Sequence, residues 1–265
     1  MYLHLEAKMS EILDHIKNFL PVYRVLNREE NLNFFRDVLG LKVHLEEGAM
    51  VWLGGNQSKE NCFLLEESPE VRTVRGNKKH SKTILTADEG EIEQLLARHS
   101  GQVENIFTDG ERYGFEAISP EHDHFLLLPK EMHLMLPISS DDIKFEIDAD
   151  FKGLSGVKIK SLDLNVSETG LIDFISDLLN VESSQHAVNL PFVRLNEKMV
   201  EGSDLQATAD ETLDLEFLVF IVDQSADLIG FSNEIDAYNG IYLDKAGKTL
   251  SLDAPNNMEI WFVKN

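Results

Sequence analysis

Cysteine is almost absent: Cys62 stands alone in 265 residues. An internal disulfide is therefore excluded, and a reducing, cytoplasmic setting is expected. The thiol lies in the apolar stretch NCFLLEE, where burial makes it an inert packing group rather than a nucleophile. Cations are scarce as well, with 24 Lys and Arg against 47 Asp and Glu, a net charge of −23. A chain so acidic gains little from counterion release on a phosphate backbone, so nucleic acid is not an expected partner. Residues 1–140 carry 15 basic and 23 acidic groups, and residues 141–265 carry 9 and 24, so the excess is largest in the second half. No apolar run approaches the ~18 residues that a membrane span needs. The opening stretch MYLHLEAKMSEILDHIKNFL has acids scattered through it, unlike a secretory signal, and Met9 offers a second start. Hydrolase signatures are missing too: there is no H-E-x-x-H, no G-x-S-x-G and no cysteine in an activated setting.

What is present is a repeated unit. Val22–Leu26 is short and apolar, as a strand would be. Asn27 can cap a helix, with Glu30 at the capping-box position. Leu32, Phe35, Val38 and Leu39 recur at helical spacing, and Gly40 permits the left-handed turn that ends the helix. Two runs around Glu47-Gly48 read as a hairpin, and Cys62–Glu67 adds a further strand, giving βαβββ. The pattern returns with Asp88, Ser167 and Asp223 as the expected caps of three later helices. In the third unit, strands are expected at 184–190, 192–199 and 203–209. Between the second and third units, residues 131–155 lose periodicity, and Pro137–Asp142 has the composition of a link.

The phrases Val25–Leu41, Phe63–Pro69 (FLLEESP) and Tyr113–Pro120 (YGFEAISP), in that order, carry a resemblance to the vicinal-oxygen-chelate superfamily of glyoxalase, bleomycin-resistance and dioxygenase proteins. They look most like the CppA family, historically labelled a complement C3-degrading proteinase. The resemblance is good over residues 18–130 and traceable to the C-terminus. It implies an α+β fold of four tandem βαβββ modules in two domains: an extension over 1–20, a glyoxalase-like domain over 21–140 and a second over 141–265. Adjacent modules are expected to pair into eight-stranded curved sheets with the helices outside and a cavity within.

Members of the superfamily commonly hold a divalent metal in that cavity with ligands from first and last strands. Carried over position by position, the first two modules offer Leu20, Ser81 and Leu126, none a ligand, and one carboxylate, Glu66. The fourth module offers Glu216 and Glu259, which implies a divalent metal in the C-terminal domain held by these two. Arg24 is polar inside an apolar strand and needs a carboxylate or an anionic ligand beside it. An Arg-centred ligand site follows, with Arg24, Glu66, Arg75, Tyr113 and Phe115 as its candidate contacts. The basic loop Val71–Lys82 is either a solvated linker or an anion- or partner-binding loop. His122 and His124 in a turn, and His186, read as surface or packed residues. Three readings stand: a protein that binds a small, anionic molecule; a metal-dependent lyase, isomerase or dioxygenase; and the proteinase of the family label. Either a monomer or a homodimer is compatible with the sequence.

Overall fold

Each repeat does form a βαβββ unit, but the units do not pair with their neighbours in the chain. The structure, a computed structural model, describes residues 11–265; Met9 and the first half of the expected extension lie outside the described residues. The first unit holds β1 (Ile16–Val25), β2 (Lys42–Glu47), β3 (Met50–Gly54) and β4 (Asn61–Glu67). A two-residue strand, β5 (Arg72–Thr73), precedes the second unit, β6 (His80–Ala87), β7 (Asn105–Thr108), β8 (Tyr113–Ile118) and β9 (His124–Pro129). After β10 (Leu136–Ile138) come β11 (Lys158–Val166), β12 (Ser183–Ser184), β13 (Ala187–Asn189) and β14 (Arg194–Met199). The last unit follows β15 (Thr212–Leu213) and holds β16 (Leu215–Val222), β17 (Tyr242–Leu243), β18 (Thr249–Ala254) and β19 (Met258–Lys264).

The first sheet has the order β17-β18-β19-β16-β1-β4-β3-β2, and the second β10-β7-β8-β9-β6-β11-β14-β13-β12. Unit one therefore shares a sheet with unit four, and unit two with unit three. The expected pairing of adjacent units is corrected by the antiparallel pairs β1/β16 and β6/β11. Both hydrogen-bonded sheets cross the sequence boundary near residue 140. The second sheet has nine strands instead of eight because β10, from the link, adds to the edge at β7.

Several local expectations need correction. The first strand begins at Ile16, five residues before the expected module, because Ile16 and Phe19 enter the core across a register irregularity at Lys17. Asn27 and Asp88 cap their helices as expected, accepting from Glu30 N at 3.2 Å and Gly90 N at 3.0 Å. Ser167 does not cap, since its hydroxyl is bonded to Asn256, and the helix Leu171–Leu179 starts after Gly170. Asp223 is bonded to His15 and Ser225, leaving Asp227 to cap Leu228–Glu234. Residues 203–209 form no strand. Gly40 and Gly48 do take positive φ, +68° and +61°, at the helix end and the hairpin. Among the described residues no helix is long and apolar enough to cross a membrane.

One core lies between the sheets. Leu32, Phe35, Ile92, Leu95, Ile175, Leu178 and Phe231 from the helices pack into the same cluster as Tyr23, Phe63, Phe125 and Leu162 from the strands. Phe125 of the second sheet meets Phe63 of the first at 5.6 Å between ring centroids and Phe35 of a helix at 5.2 Å. Helices thus occupy the core side, and the opposite face of each sheet carries its own small apolar cluster.

A buried polar chain also crosses between the sheets. Tyr23 OH on β1 meets Thr83 Oγ1 on β6 at 2.9 Å. Thr83 Oγ1 meets His80 Nε2 at 2.9 Å, and His80 Nδ1 meets Asp123 Oδ1 at 2.9 Å. Lys78 Nζ closes it on Asp123 at 2.7 Å. Burial alone would raise the Asp123 carboxyl, but Lys78 and His80 pull it down to about 2, so it is ionised at neutral pH. Asp123→Asn leaves the Lys78 ammonium buried without its counter-charge, which should cost ~3–5 kcal/mol. The guanidinium unfolding midpoint at pH 7 measures this, and an unchanged midpoint would show that the pair adds nothing.

Candidate functional site

Alternation along β1 sends Tyr23 and Val25 into the core and Leu20, Val22 and Arg24 to the opposite, outward face. Across the parallel β1/β4 pair, Arg24 lies opposite Glu66 and Val22 opposite Leu64. Across the antiparallel β1/β16 pair, Val22 faces Phe217 while Tyr23 faces Leu215. Glu216 is the extra residue of a bulge, and its side chain reaches Arg24. Arg24 Nη2 donates to Glu216 Oε1 at 2.6 Å, and Glu66 Oε1 lies 3.8 Å from the same nitrogen. Arg24 Nη1 also donates to Ser68 Oγ at 3.3 Å.

This cluster is screened from water: the Arg24 and Glu216 side chains are 13% and 6% exposed. Two atoms lack a partner among the described residues, Arg24 Nε and Glu216 Oε2. Burial, followed by hydrogen bonding with Glu66, pushes the Glu216 carboxyl up to about 8 against the pull of Arg24. The Arg24 Nε–H remains a buried donor with no acceptor.

An aromatic and aliphatic wall adjoins this polar end. Leu20, Val22, Leu64, Phe217 and Val219 form a buried cluster, with Met50, Trp52 and Trp261 half-buried against it. The Phe217 and Trp261 rings stack at 4.6 Å and 16°. Trp261 Nε1 donates to Glu259 Oε2 at 2.8 Å.

Arg24, Glu66 and Glu216 thus converge, whereas three other candidates lie elsewhere. The Arg75 side chain is exposed, and its backbone N–H donates to Asp204 at 2.7 Å in the loop that ties the chain halves. Tyr113 is on the second sheet, edge to face with Phe145 at 5.0 Å, and Phe115 is fully buried in the core. Both rings sit on the core side of β8, so neither can line a cavity on the first sheet. Glu216 and Glu259 do not fit a divalent cation. One oxygen of Glu216 already accepts from the Arg24 guanidinium, Glu259 accepts from Trp261, and among the described residues no group of three His, Cys, Asp or Glu is placed to hold a metal.

The other histidines do not converge either. His122 is an exposed turn residue with φ +63°, while His124 meets Glu116 at 3.3 Å. His186 is mostly exposed and meets Glu197 at 3.3 Å. Glu197 is a last-strand carboxylate that sequence reasoning missed; it points inward and accepts from Gly170 N and Ile172 N, both at 3.1 Å, at the start of a helix. Thr83, His80 and Asp123 have the order of a nucleophile, base and orienting acid. However, Thr83 is 0% exposed and its hydroxyl is held by Tyr23, so the array is sealed within the core.

The two sheets of βαβββ units define a protein of the glyoxalase and dioxygenase fold. Profiles for the CppA N-terminal and CppA C-terminal regions match residues 18–135 and 154–262, so the chain belongs to the CppA family. The crystal structure of cppA protein from Streptococcus pneumoniae TIGR4 is similar, with TM-score 0.76 and 25% identity over 95% of this chain and 99% of that one. A putative dioxygenase from Bacillus subtilis shares the fold at TM-score 0.60 and 12% identity, covering 92% of this chain and 84% of that one. Glyoxalase I from Zea mays does so at 0.57 and 12%, covering 92% and 91%. No curated protein matches the chain.

The Glu216 carboxyl has a consequence for stability. An ordinary Glu titrates near 4.5, and the folded state holds this proton up to about 8. The folded chain therefore binds more protons than the unfolded one between those values, and stability falls as pH rises through them. Glu216→Gln should flatten that slope. Urea midpoints from pH 5 to 8 read it out, and parallel curves for the two proteins would refute the assignment.

Proposed function

We propose that this chain binds a small organic molecule on the outward face of its first sheet. The oxygen-bearing end of the ligand accepts from Arg24, and its apolar body lies against Trp52, Trp261 and their aliphatic neighbours. The observation that carries this reading is the Arg24 Nε–H, a buried donor without an acceptor among the described residues, beside an aromatic wall. Such groups are rare in folded proteins, because each loses its hydration with nothing in return. A carbonyl or carboxylate oxygen satisfies it, and charge assistance from the guanidinium favours the carboxylate. With its carboxyl pushed up to about 8, Glu216 carries no charge at neutral pH to repel such an anion.

A catalytic variant of this reading rests on Glu216 itself. A carboxyl group held up to about 8 carries its proton at neutral pH and can donate it to a bound oxygen as a general acid. This suits an isomerase or lyase that polarises a carbonyl. The proteinase reading draws no support from the geometry, since the triad-like array of Thr83, His80 and Asp123 has no access to a peptide.

The two tryptophans of the chain, Trp52 and Trp261, both belong to this face, so intrinsic fluorescence reports on it without a label. Titration with benzoate should quench or shift the emission saturably, benzamide should do so more weakly, and benzylamine should not. In Arg24→Met the benzoate response should fall by about tenfold or more in affinity, the scale of one lost charge-assisted hydrogen bond. No response to benzoate in the parent protein, or an equal response in the variant, would overturn the proposal.

A further inference from the structure

We propose that the second sheet carries a separate binding groove for an organic phosphate. A groove of about 400 Å³ is lined by Thr86, Lys130, Lys158, Lys160, Phe192 and Arg194, among others, with no carboxylate in its walls. In a chain of net charge −23, four cations around one small groove is a marked departure. Among the described residues none of the four takes part in an ion pair. Arg194 is bonded only to neutral amides, Asn196 Oδ1 at 2.8 Å and Asn189 Oδ1 at 3.3 Å.

Glu60, Asp88, Glu89 and Glu131 line an adjoining hollow that shares Lys130 and Lys158, so Lys160 and Arg194 are the cations farthest from a carboxylate, and the carboxylates of the strands beside them are engaged. Glu116 is taken by Lys82 at 2.8 Å, Asn105 at 3.1 Å and His124 at 3.3 Å. Asp163 accepts from Asn196 at 2.6 Å. Like charges gathered in this way repel one another, and an anion bridging them turns that repulsion into attraction. The cations come from three separate segments: Lys130 follows β9, Lys158 and Lys160 lie on β11, and Arg194 begins β14.

The ligand class follows from charge, size and the apolar lining. Several lysine point charges with one arginine fork suit a group carrying at least two negative charges, as a diphosphate does. Half-buried Phe192, beside Pro191 and Leu190, offers an apolar surface for a ring attached to it. The acidic remainder of the protein excludes a long polyanion, so a small phosphate ester is the fitting ligand. This site is on the other sheet from Arg24 and does not depend on the ligand proposed there.

ADP is the probe. At low ionic strength it should raise the thermal midpoint and give a saturable heat of binding that weakens as salt is added. Adenosine, which lacks the phosphates, should do neither. Lys160→Glu combined with Arg194→Glu should weaken ADP by about a hundredfold, from two lost charge-assisted contacts. Both side chains are exposed, and an unchanged far-ultraviolet circular dichroism spectrum confirms that the double variant folds. Arg24→Met, by contrast, should bind ADP as the parent does. The proposal is overturned if ADP gives no heat and no shift, if adenosine binds as well as ADP, or if the double variant keeps its affinity.

Discussion

The antiparallel pairing of β1 with β16 is the constraint on which the rest depends. It places residues 192 positions apart, Arg24 and Glu216, within 2.6 Å of each other. It also sets the fourth unit beside the first, so the sheet that holds the candidate site is built from both ends of the chain. Once those ends are committed to each other, the second and third units are left to pair through β6 and β11. Core-facing sides of both sheets then close on one cluster, and each outward side keeps a small apolar cluster of its own. A bulge at Glu216 adds the last detail, turning a strand residue toward Arg24 that regular alternation would have sent inward.

Much of this was legible in the residues, for reasons that can be named. The caps at Asn27 and Asp88, the stop at Gly40 and the turn at Gly48 are local, and local chemistry set them as expected. Arg24 and Glu66 were legible because a charged side chain in an apolar strand must find a partner, and parallel pairing of first and last strands brings them opposite each other. Glu216 was found by its strand position, but its role was not, because a metal carboxylate and an arginine partner look alike in sequence. Tyr113 and Phe115 were misplaced for a different reason. Alternation shows that two residues share a face of β8 but not which face is the inner one, and both rings turned inward. The pairing of the units was beyond reach, since strands β1, β6, β11 and β16 have similar apolar content and nothing local selects which two meet.

The same distinction separates the buried His80 array from catalysis. His80, Thr83 and Asp123 satisfy the distances of a catalytic array, and burial alone decides against that role. Burial pushes the Tyr23 hydroxyl well above its ordinary value, so it keeps its proton at neutral pH. A network of this kind favours one way of docking the sheets over others, because a shifted register would leave a charge or a hydroxyl unpaired in the core.

The fate of the basic residues shows why charge read along a chain misleads. The loop Val71–Lys82 is the one cationic cluster visible in sequence, and it was the natural place to expect an anion. In the fold most of its cations are already committed, Arg75 excepted. Arg72 grips Asp204 at 2.5 and 3.1 Å, Lys78 is paired with Asp123, and Lys79 donates to the Ala207 and Asn257 carbonyls at 2.6 and 2.8 Å. With β5 paired to β15, the loop acts as a clasp between the two halves. Burial lowers the Lys79 ammonium to about 8 despite nearby Asp214, which fits a side chain chosen for its bonds rather than for an exposed charge. Lys130, Lys158, Lys160 and Arg194 gather around one groove only in the fold, and no sequence window shows them as a cluster. On the second sheet Lys82, Asn105 and Asn196 engage Glu116 and Asp163, which leaves Lys160 and Arg194 without a carboxylate partner among the described residues.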